Sequence, residues 1–396
     1  MSHTEHRHET DQRRFHLPMR SRDASESHRA ATPLELFFDL CFVVAIAIAA
    51  GELHHEIAEG HAGEGVYAFA LVFFAIWWAW MNFTWFASAY DNDDAIYRLT
   101  TFVQMGGVLV MASGIPRAFA ETDIGLMTVG YVIMRLAMVA QWLRAASAGD
   151  ETTPCALRYA VGIAIIQVLW VARLGLDGAV AEIGIFVLVA GEVLVPVFAE
   201  RSARTPWHPH HIAERYGLFT IIVLGESILA ATLAFQEAFD AKGGEISLIA
   251  LAVSALIIVF AMWWLYFDQA EHPQPGSFRA AFLWGYGHLF IFASAAAVGA
   301  SIAVAVDHKT DHTLISDTAA GLAVAAPVAI FLAAVWLIHV LPNRNGILVS
   351  AFPATIALVL ASAFLGTWAI PATALVLVLL LAIMLLDYER SLAANP

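Results

Sequence analysis

Residues 247–267 read SLIALAVSALIIVFAMWWLYF and contain no charged side chain. A helix of this length covers about 30 Å, the thickness of the hydrocarbon core of a bilayer. Similar runs fill most of the 396-residue chain, which is 60% apolar and 14% charged, with a mean hydropathy of +0.71. Soluble domains carry about 25% charged residues. The composition therefore excludes a disordered chain, a nucleic-acid-binding protein and most soluble enzymes, and it predicts a polytopic membrane protein.

The apolar runs divide into segments that are each long enough to cross the membrane as a helix. They lack the strict alternation of a transmembrane β-barrel, which is the other structure that spans a bilayer. The sequence therefore predicts an all-α protein with about 12 transmembrane helices, and the boundary near Pro371 is left open. The segments are 34–51, 66–88, 98–116, 125–144, 157–174, 183–199, 211–234, 247–267, 279–305, 317–341, 347–366 and 370–387.

Residues 1–31 differ from the rest of the chain because arginines, acids and histidines replace the apolar clusters. Such a segment buries too little apolar surface to offset the entropy of folding, so we predict a disordered tail. It has no apolar core of the kind that a cleavable signal peptide requires.

The basic residues predict the orientation. With the N-terminus inside, most of them fall in the tail and the inner loops, which is the positive-inside pattern of an inner-membrane protein with both termini cytoplasmic. The inner set is Arg7, Arg13, Arg14, Arg20, Arg22, Arg29, Arg98, Arg144, Arg158, Arg201, Arg204, Arg215, Arg279, Arg344 and Arg390. The outer loops hold only Arg117, Arg173, Lys242 and Lys309.

Several features recur along the chain at nearly constant separation. Phe-Ala-Ile-Trp-Trp at 74–78 returns as Phe-Ala-Met-Trp-Trp at 260–264, and Tyr-Arg at 97–98 returns as Phe-Arg at 278–279. Six spans is an even number, so two such halves would share one orientation as parallel repeats. We therefore predict a first six-helix repeat over 32–205 and a second over 206–396. The alternative is that Trp pairs and arginines simply mark membrane interfaces.

Two acids stand at the start of the first span. Thr32-Pro33-Leu34-Glu35 fits a capping box with Thr at the N-cap and Glu at N3. Asp39 lies four residues further, on the same helical face and one turn deeper. A carboxylate there is costly in lipid, so it should face the protein interior or water. It serves either as a static anchor, with Arg98 or Arg279 as partner, or as part of an ion or proton pathway.

Glu226 is the deepest acid in the second half, about 18 Å along a helix from Glu214. Gly225 would allow another helix to approach closely, and Ser227 could bond across that contact. Glu226 is either a proton-handling residue or a protonated packing residue. The residues that we select as a candidate polar pathway are Asp39, Glu226, Glu35, Glu214, Arg215, Arg98 and Arg279.

No metal or cofactor site is expected. His208, His210 and His211 lack a recognised ligand spacing, and two cysteines support neither a disulfide framework nor a thiolate site. The nucleophile elbow and the Walker A loop are both missing, so we do not expect an enzyme. The expected partners are the lipid bilayer and, for a transporter, ions or small solutes. The sequence leaves the oligomeric state open, with a homo-oligomer as one alternative.

Two stretches carry a family resemblance. They are Thr32-Pro33-Leu34-Glu35-Leu36-Phe37-Phe38-Asp39-Leu40 and the run AERYGLFTIIVLGES at 213–227. Both are similar to the bacterial low temperature requirement A (LtrA) family, and the resemblance covers residues from about 30 to 390. It implies a polytopic inner-membrane protein without an assigned transported molecule or reaction.

Three functions are compatible with these features. The first is an ion or small-solute transporter or channel that uses Asp39 and Glu226, and it is favoured because charges inside spans are rare and costly. The second is a structural or sensory membrane protein without turnover. The third is a membrane lipid enzyme, for which the histidine-rich patch 208–215 with Asp268 is the candidate site.

Overall fold

A computed structural model describes residues 15–22, 29–242, 245–270, 278–343 and 346–394. This part of the chain forms twelve α-helices and contains no strand. The helices are α1 Pro33–Ala58, α2 Ala62–Tyr90, α3 Ala95–Ala120, α4 Gly125–Ala146, α5 Thr153–Arg173, α6 Gly178–Ala199, α7 Pro209–Lys242, α8 Ile246–Ala270, α9 Phe278–Lys309, α10 Asp317–Val335, α11 Leu348–Ser362 and α12 Ala369–Ala394.

Eleven of these helices are long and apolar enough to cross a membrane. The exception is α11, whose 15 residues cover about 22 Å. Pro371 lies in the first turn of α12, where a missing N–H costs no helical hydrogen bond, so the boundary left open by the sequence falls before Ala369. The prediction of an all-α polytopic membrane protein is confirmed.

The chain divides into two compact units. The first contains residues 1–45 and 75–215, and the second contains 46–74 and 216–396, as far as these ranges are described. In the first unit, α3 and α4 approach closely because glycines remove the side chains between them. A Cβ added to Gly130 would lie 2.2 Å from the backbone nitrogen of Met111 and 2.6 Å from the carbonyl oxygen of Gly107. Small residues allow such contacts between membrane helices.

The second unit contains a comparable contact between α7 and α9. The Ser227 hydroxyl donates to the carbonyl oxygen of Ala295 at 2.9 Å, as predicted. The glycine that permits the approach is Gly299, where an added Cβ would lie 2.7 Å from the Cα of Ser227. The prediction of Gly225 for this role is wrong, because a Cβ added to Gly225 would meet no described atom within 4 Å.

Part of the predicted tail packs within the first unit. Met19 is fully buried, and the Leu17 amide donates to Asp94 Oδ2 at 2.7 Å. The Arg144 guanidinium donates to the Leu17 carbonyl oxygen at 2.8 Å and also pairs with Asp94. The prediction of disorder for residues 1–14 and 23–28 lies outside the described residues.

Candidate functional site

The first turn of α1 holds the capping box that the sequence predicts. The Thr32 amide donates to Glu35 Oε2 at 2.7 Å, and the Glu35 amide donates to the Thr32 hydroxyl at 3.3 Å. These bonds satisfy amides that have no partner within the helix. They also fix the Glu35 carboxylate at the helix start, where the positive end of the helix dipole favours an anion.

The start of α7 carries the partners of these acids. Pro209 occupies the first turn, where its missing N–H is harmless, and the His208 ring accepts the His211 amide at 3.3 Å. His211 and Arg215 are four residues apart and therefore share one helical face. Both side chains are fully buried.

Glu35, Asp39, His211 and Arg215 form what we call the acid–arginine cluster. Arg215 Nη1 lies 2.9 Å from Glu35 Oε1, and Arg215 Nη2 donates to Asp39 Oδ1 at 2.5 Å. His211 Nε2 lies 3.1 Å from Glu35 Oε1. The Trp80 indole donates to Asp39 Oδ1 at 2.7 Å. Four side chains from α1 and α7 are thus held together with an aromatic donor from α2.

The cluster has an unequal number of opposite charges. Its two carboxylates face one guanidinium, so it carries an excess negative charge unless His211 or one of the carboxylates is protonated. Its hydrogen bonding is also incomplete. Asp39 Oδ2, Arg215 Nε and His211 Nδ1 are buried and have no hydrogen-bond partner among the described residues. A buried polar atom without a partner is costly, so each of these atoms requires an explanation.

A second ion pair adjoins the cluster outside the spans. The Arg29 guanidinium donates to the Ala87 carbonyl oxygen at 2.6 Å and to that of Ser88, at the end of α2. It also lies 3.8 Å from Asp91. Burial, with a further contribution from the charge of Glu35, raises the pKa of Asp91 to about 6. Burial lowers the pKa of Arg29.

The first unit contains another buried charge, which the predicted pathway does not include. Glu192 of α6 accepts four hydrogen bonds from three other helices, two at each carboxylate oxygen. The donors are Trp78 Nε1 at 3.0 Å, Arg135 Nη2 at 2.9 Å, Tyr131 Oη at 3.0 Å and Gln167 Nε2 at 3.0 Å. The signal was present in the sequence, because Arg135 and Glu192 are opposite charges within two apolar spans.

Two of the other predicted residues have their partners outside the cluster. Arg98 is half exposed and pairs with Asp93 through two hydrogen bonds of 2.6 and 2.8 Å, so its prediction as the partner of Asp39 is wrong. Glu214 is exposed and accepts the Ala31 amide at 3.1 Å. The Arg279 side chain lies outside the described residues.

Glu226 belongs to the second unit. It is half-buried in α7 and has no hydrogen-bond or ion-pair partner among the residues that the structure describes. The predicted route that joins it to Asp39 stays a prediction.

The second unit contains two buried histidines, His288 and His339. His288 Nδ1 lies 2.7 Å from the Trp284 carbonyl oxygen, which makes this nitrogen the donor. Its Nε2 therefore accepts the Tyr266 hydroxyl at 3.1 Å. The His339 ring lies edge-on to His288 with centroids 5.4 Å apart.

One group of residues has the proximity that a metal ion requires. One ligand atom each of Glu56, His61 and Glu64 lies within 4.8 Å of the others, at the turn between α1 and α2. His61 and Glu64 are exposed, and exposed acids often approach in this way without a metal. Nothing else about this group indicates a metal ion.

The fold and the buried charges define the class as a polytopic α-helical membrane protein. Residues 30–386 match the family of the bacterial low temperature requirement A protein (LtrA). The chain is also 30% identical, over 291 residues, to the uncharacterized protein RA0937 of Rhizobium meliloti (strain 1021), and the match covers 68% of this chain and 67% of that protein. The chain therefore belongs to the LtrA family, and the resemblance found in the sequence is confirmed.

Proposed function

We propose that this LtrA family protein is an ion transporter or channel of the inner membrane. In this proposal, the acid–arginine cluster takes up and releases a proton or a monovalent cation. The observation that carries the proposal is the excess carboxylate of the cluster, since both buried carboxylates pair with the same arginine, Arg215, in the part of the chain that the structure describes. A proton on His211 or on one of the carboxylates, or a bound cation, would neutralise that charge.

The comparison with Glu192 supports a functional role for Asp39. Glu192 is a carboxylate that receives two donors at each oxygen, which is the environment expected of a static anchor. Asp39 receives Trp80 and Arg215 at one oxygen, while its other oxygen is buried without a partner among the described residues. When one oxygen of an intramembrane carboxylate accepts all of its hydrogen bonds, the other oxygen can still bind a proton or a cation.

The orientation and the repeat belong to the same proposal. We place both termini in the cytoplasm because the inner loops hold most of the arginines. We further propose that the halves 32–205 and 206–396 are parallel repeats, in which Trp77 corresponds to Trp263. An experimental structure in which these two residues occupy unrelated helical positions would contradict the repeat.

A structural or sensory membrane protein without turnover is the second candidate. The Glu192 network favours it, because four helices joined through one carboxylate would stabilise a rigid assembly.

Flux measurements separate the two candidates. The purified protein is reconstituted into liposomes, and uptake of H⁺, Na⁺ and K⁺ is followed under an imposed gradient and compared with protein-free liposomes. We expect flux of at least one of these ions, with a pH dependence that His211→Gln removes. An absence of flux for all three ions from well-folded protein would contradict transport and favour the second candidate.

A further inference from the structure

A long apolar groove lies in the second unit and is separate from the acid–arginine cluster. It has a volume of about 550 Å³ and is lined by parts of α1, α2, α9 and α10. Many of its wall residues are small, including Ala70, Ala293, Ala297 and Ala323. Small side chains leave the space between these helices open, whereas larger side chains would fill it.

The described walls of the groove leave no side-chain hydroxyl free to donate to a polar ligand. The hydroxyl side chains among these wall residues are Ser294 and Ser301. The Ser294 hydroxyl donates to the Phe290 carbonyl oxygen at 2.5 Å, and the Ser301 hydroxyl donates to that of Ala297 at 2.7 Å. Both donors are therefore used within α9, as is common for serine in membrane helices. The groove thus suits a hydrocarbon chain, which it would recognise by shape.

The length of the groove corresponds to one leaflet of the bilayer. Its lining on α10 runs from Ala319 to Ile330, which is about 17 Å of helix and about half of a 30 Å hydrocarbon core. One end lies at the turn between α1 and α2, where Gly60 and Ala62 line it. The Leu314 amide donates to the Ala58 carbonyl oxygen at 3.0 Å and joins this turn to the α9–α10 connection.

The end of the groove at these turns is strongly acidic. Residues 52–64 contain four glutamates, and residues 307–317 contain three aspartates and Lys309. With histidines neutral, seven carboxylates and one ammonium give a formal charge of −6. A lipid with an anionic headgroup would be repelled here, whereas a headgroup with a primary ammonium would be attracted.

We propose that this groove binds one acyl chain of a zwitterionic phospholipid whose headgroup carries an ammonium, as in phosphatidylethanolamine. The hydrocarbon fills the groove along α9 and α10. The ammonium lies among the carboxylates of the two turns, where Glu56 precedes the lining residue Ile57 and Glu64 lies between the lining residues Ala62 and Val66 in the sequence. The site does not depend on the transport function.

Native mass spectrometry tests the proposal. The full chain is exchanged into micelles with equal amounts of phosphatidylethanolamine and phosphatidylglycerol, and the lipid retained per chain is measured. We expect one retained phosphatidylethanolamine, favoured about tenfold over phosphatidylglycerol. Equal retention of the two lipids, or retention of neither, would overturn the proposal.

Variants locate the bound lipid. Ala297→Phe fills the groove from α9 and should abolish retention. Ala70→Phe fills it from an exposed position of α2, so the test does not depend on one variant that must fold. Ala190→Phe, at an exposed alanine of α6 in the first unit, is the matched control and should retain the lipid. Retention at the wild-type level in both groove variants would show that the lipid binds elsewhere and would overturn the assignment of this groove.

Discussion

Replacing Arg135 by methionine should destabilise the protein strongly, because it leaves the Glu192 carboxylate buried without its cation. The two groups are 2.9 Å apart, and both side chains are almost fully buried. Removing one partner of a buried ion pair costs about 3–5 kcal/mol. The three neutral donors to Glu192 remain in the variant. They still solvate the carboxylate, so the destabilisation should not exceed this range.

A double-mutant cycle measures how much of this cost belongs to the pair. Glu192→Gln alone should also cost about 3–5 kcal/mol, because the buried guanidinium then loses its counter-ion. The double variant contains no unpaired charge, so its cost should fall below the sum of the single costs by about 2–3 kcal/mol. The free energy of unfolding is measured by denaturant titration of the four proteins in the same mixed micelles.

The surface pair Arg98–Asp93 provides the control. Its shortest N–O distance, 2.6 Å, is smaller than that of the buried pair, but both side chains are about half exposed. Water already solvates these charges, so Arg98→Ala should cost only about 0–1 kcal/mol. The account of Glu192 as a paired anchor would be refuted if the costs of the two single substitutions in the Arg135–Glu192 cycle add up to the cost of the double variant to within about 0.5 kcal/mol.

Three further outcomes are expected, two from the structure and one from the proposed orientation. Gly130→Ala should lower the unfolding free energy by about 1–3 kcal/mol, measured by the same titration, because its Cβ would overlap the backbone of Met111. Thermal stability should fall as pH rises from about 4 to 6, because burial and the charge of Glu35 raise the pKa of Asp91 to about 6 and the folded protein then loses a proton that it binds more tightly than the unfolded chain. Asp91→Asn should remove this slope, and a slope that is unchanged in this variant would contradict the assignment. A reporter fused after Arg201 should be cytoplasmic, and an external signal there would show that the span count is wrong.

The spans could be predicted because the bilayer imposes a length and a composition on every helix that crosses it. The start of α1 could be predicted because a capping box is formed by residues that are close together in the sequence. Its signal consists of Thr32, Pro33 and Glu35, and the predicted hydrogen bonds are present. The position of Pro371 relative to the last helix required the structure, because the short turn before Ala369 leaves no clear signal in an apolar sequence.

The pairing of the buried charges could be predicted only in part. The sequence indicated that Asp39 needs a partner, but its pairing with Arg215, which is distant along the chain, is set by how α1 and α7 pack. Arg98 was the wrong choice because its nearby acid, Asp93, lies at the same helix end and binds it locally. The complete Glu192 network could not be predicted, because its four donors come from three other helices and only tertiary packing brings them together.

The flux of the Asp39→Asn variant tests the central claim most directly. The substitution keeps the shape of the side chain and removes its charge and its titration, so Arg215 keeps Glu35 as a counter-ion. Asp93→Asn is the matched control, because it changes the same functional group at a half-exposed position. Ion flux in proteoliposomes is normalised to the amount of folded protein. The account predicts that Asp39→Asn loses the flux or its pH dependence while Asp93→Asn keeps both, and wild-type flux with an unchanged pH dependence in folded Asp39→Asn would contradict it.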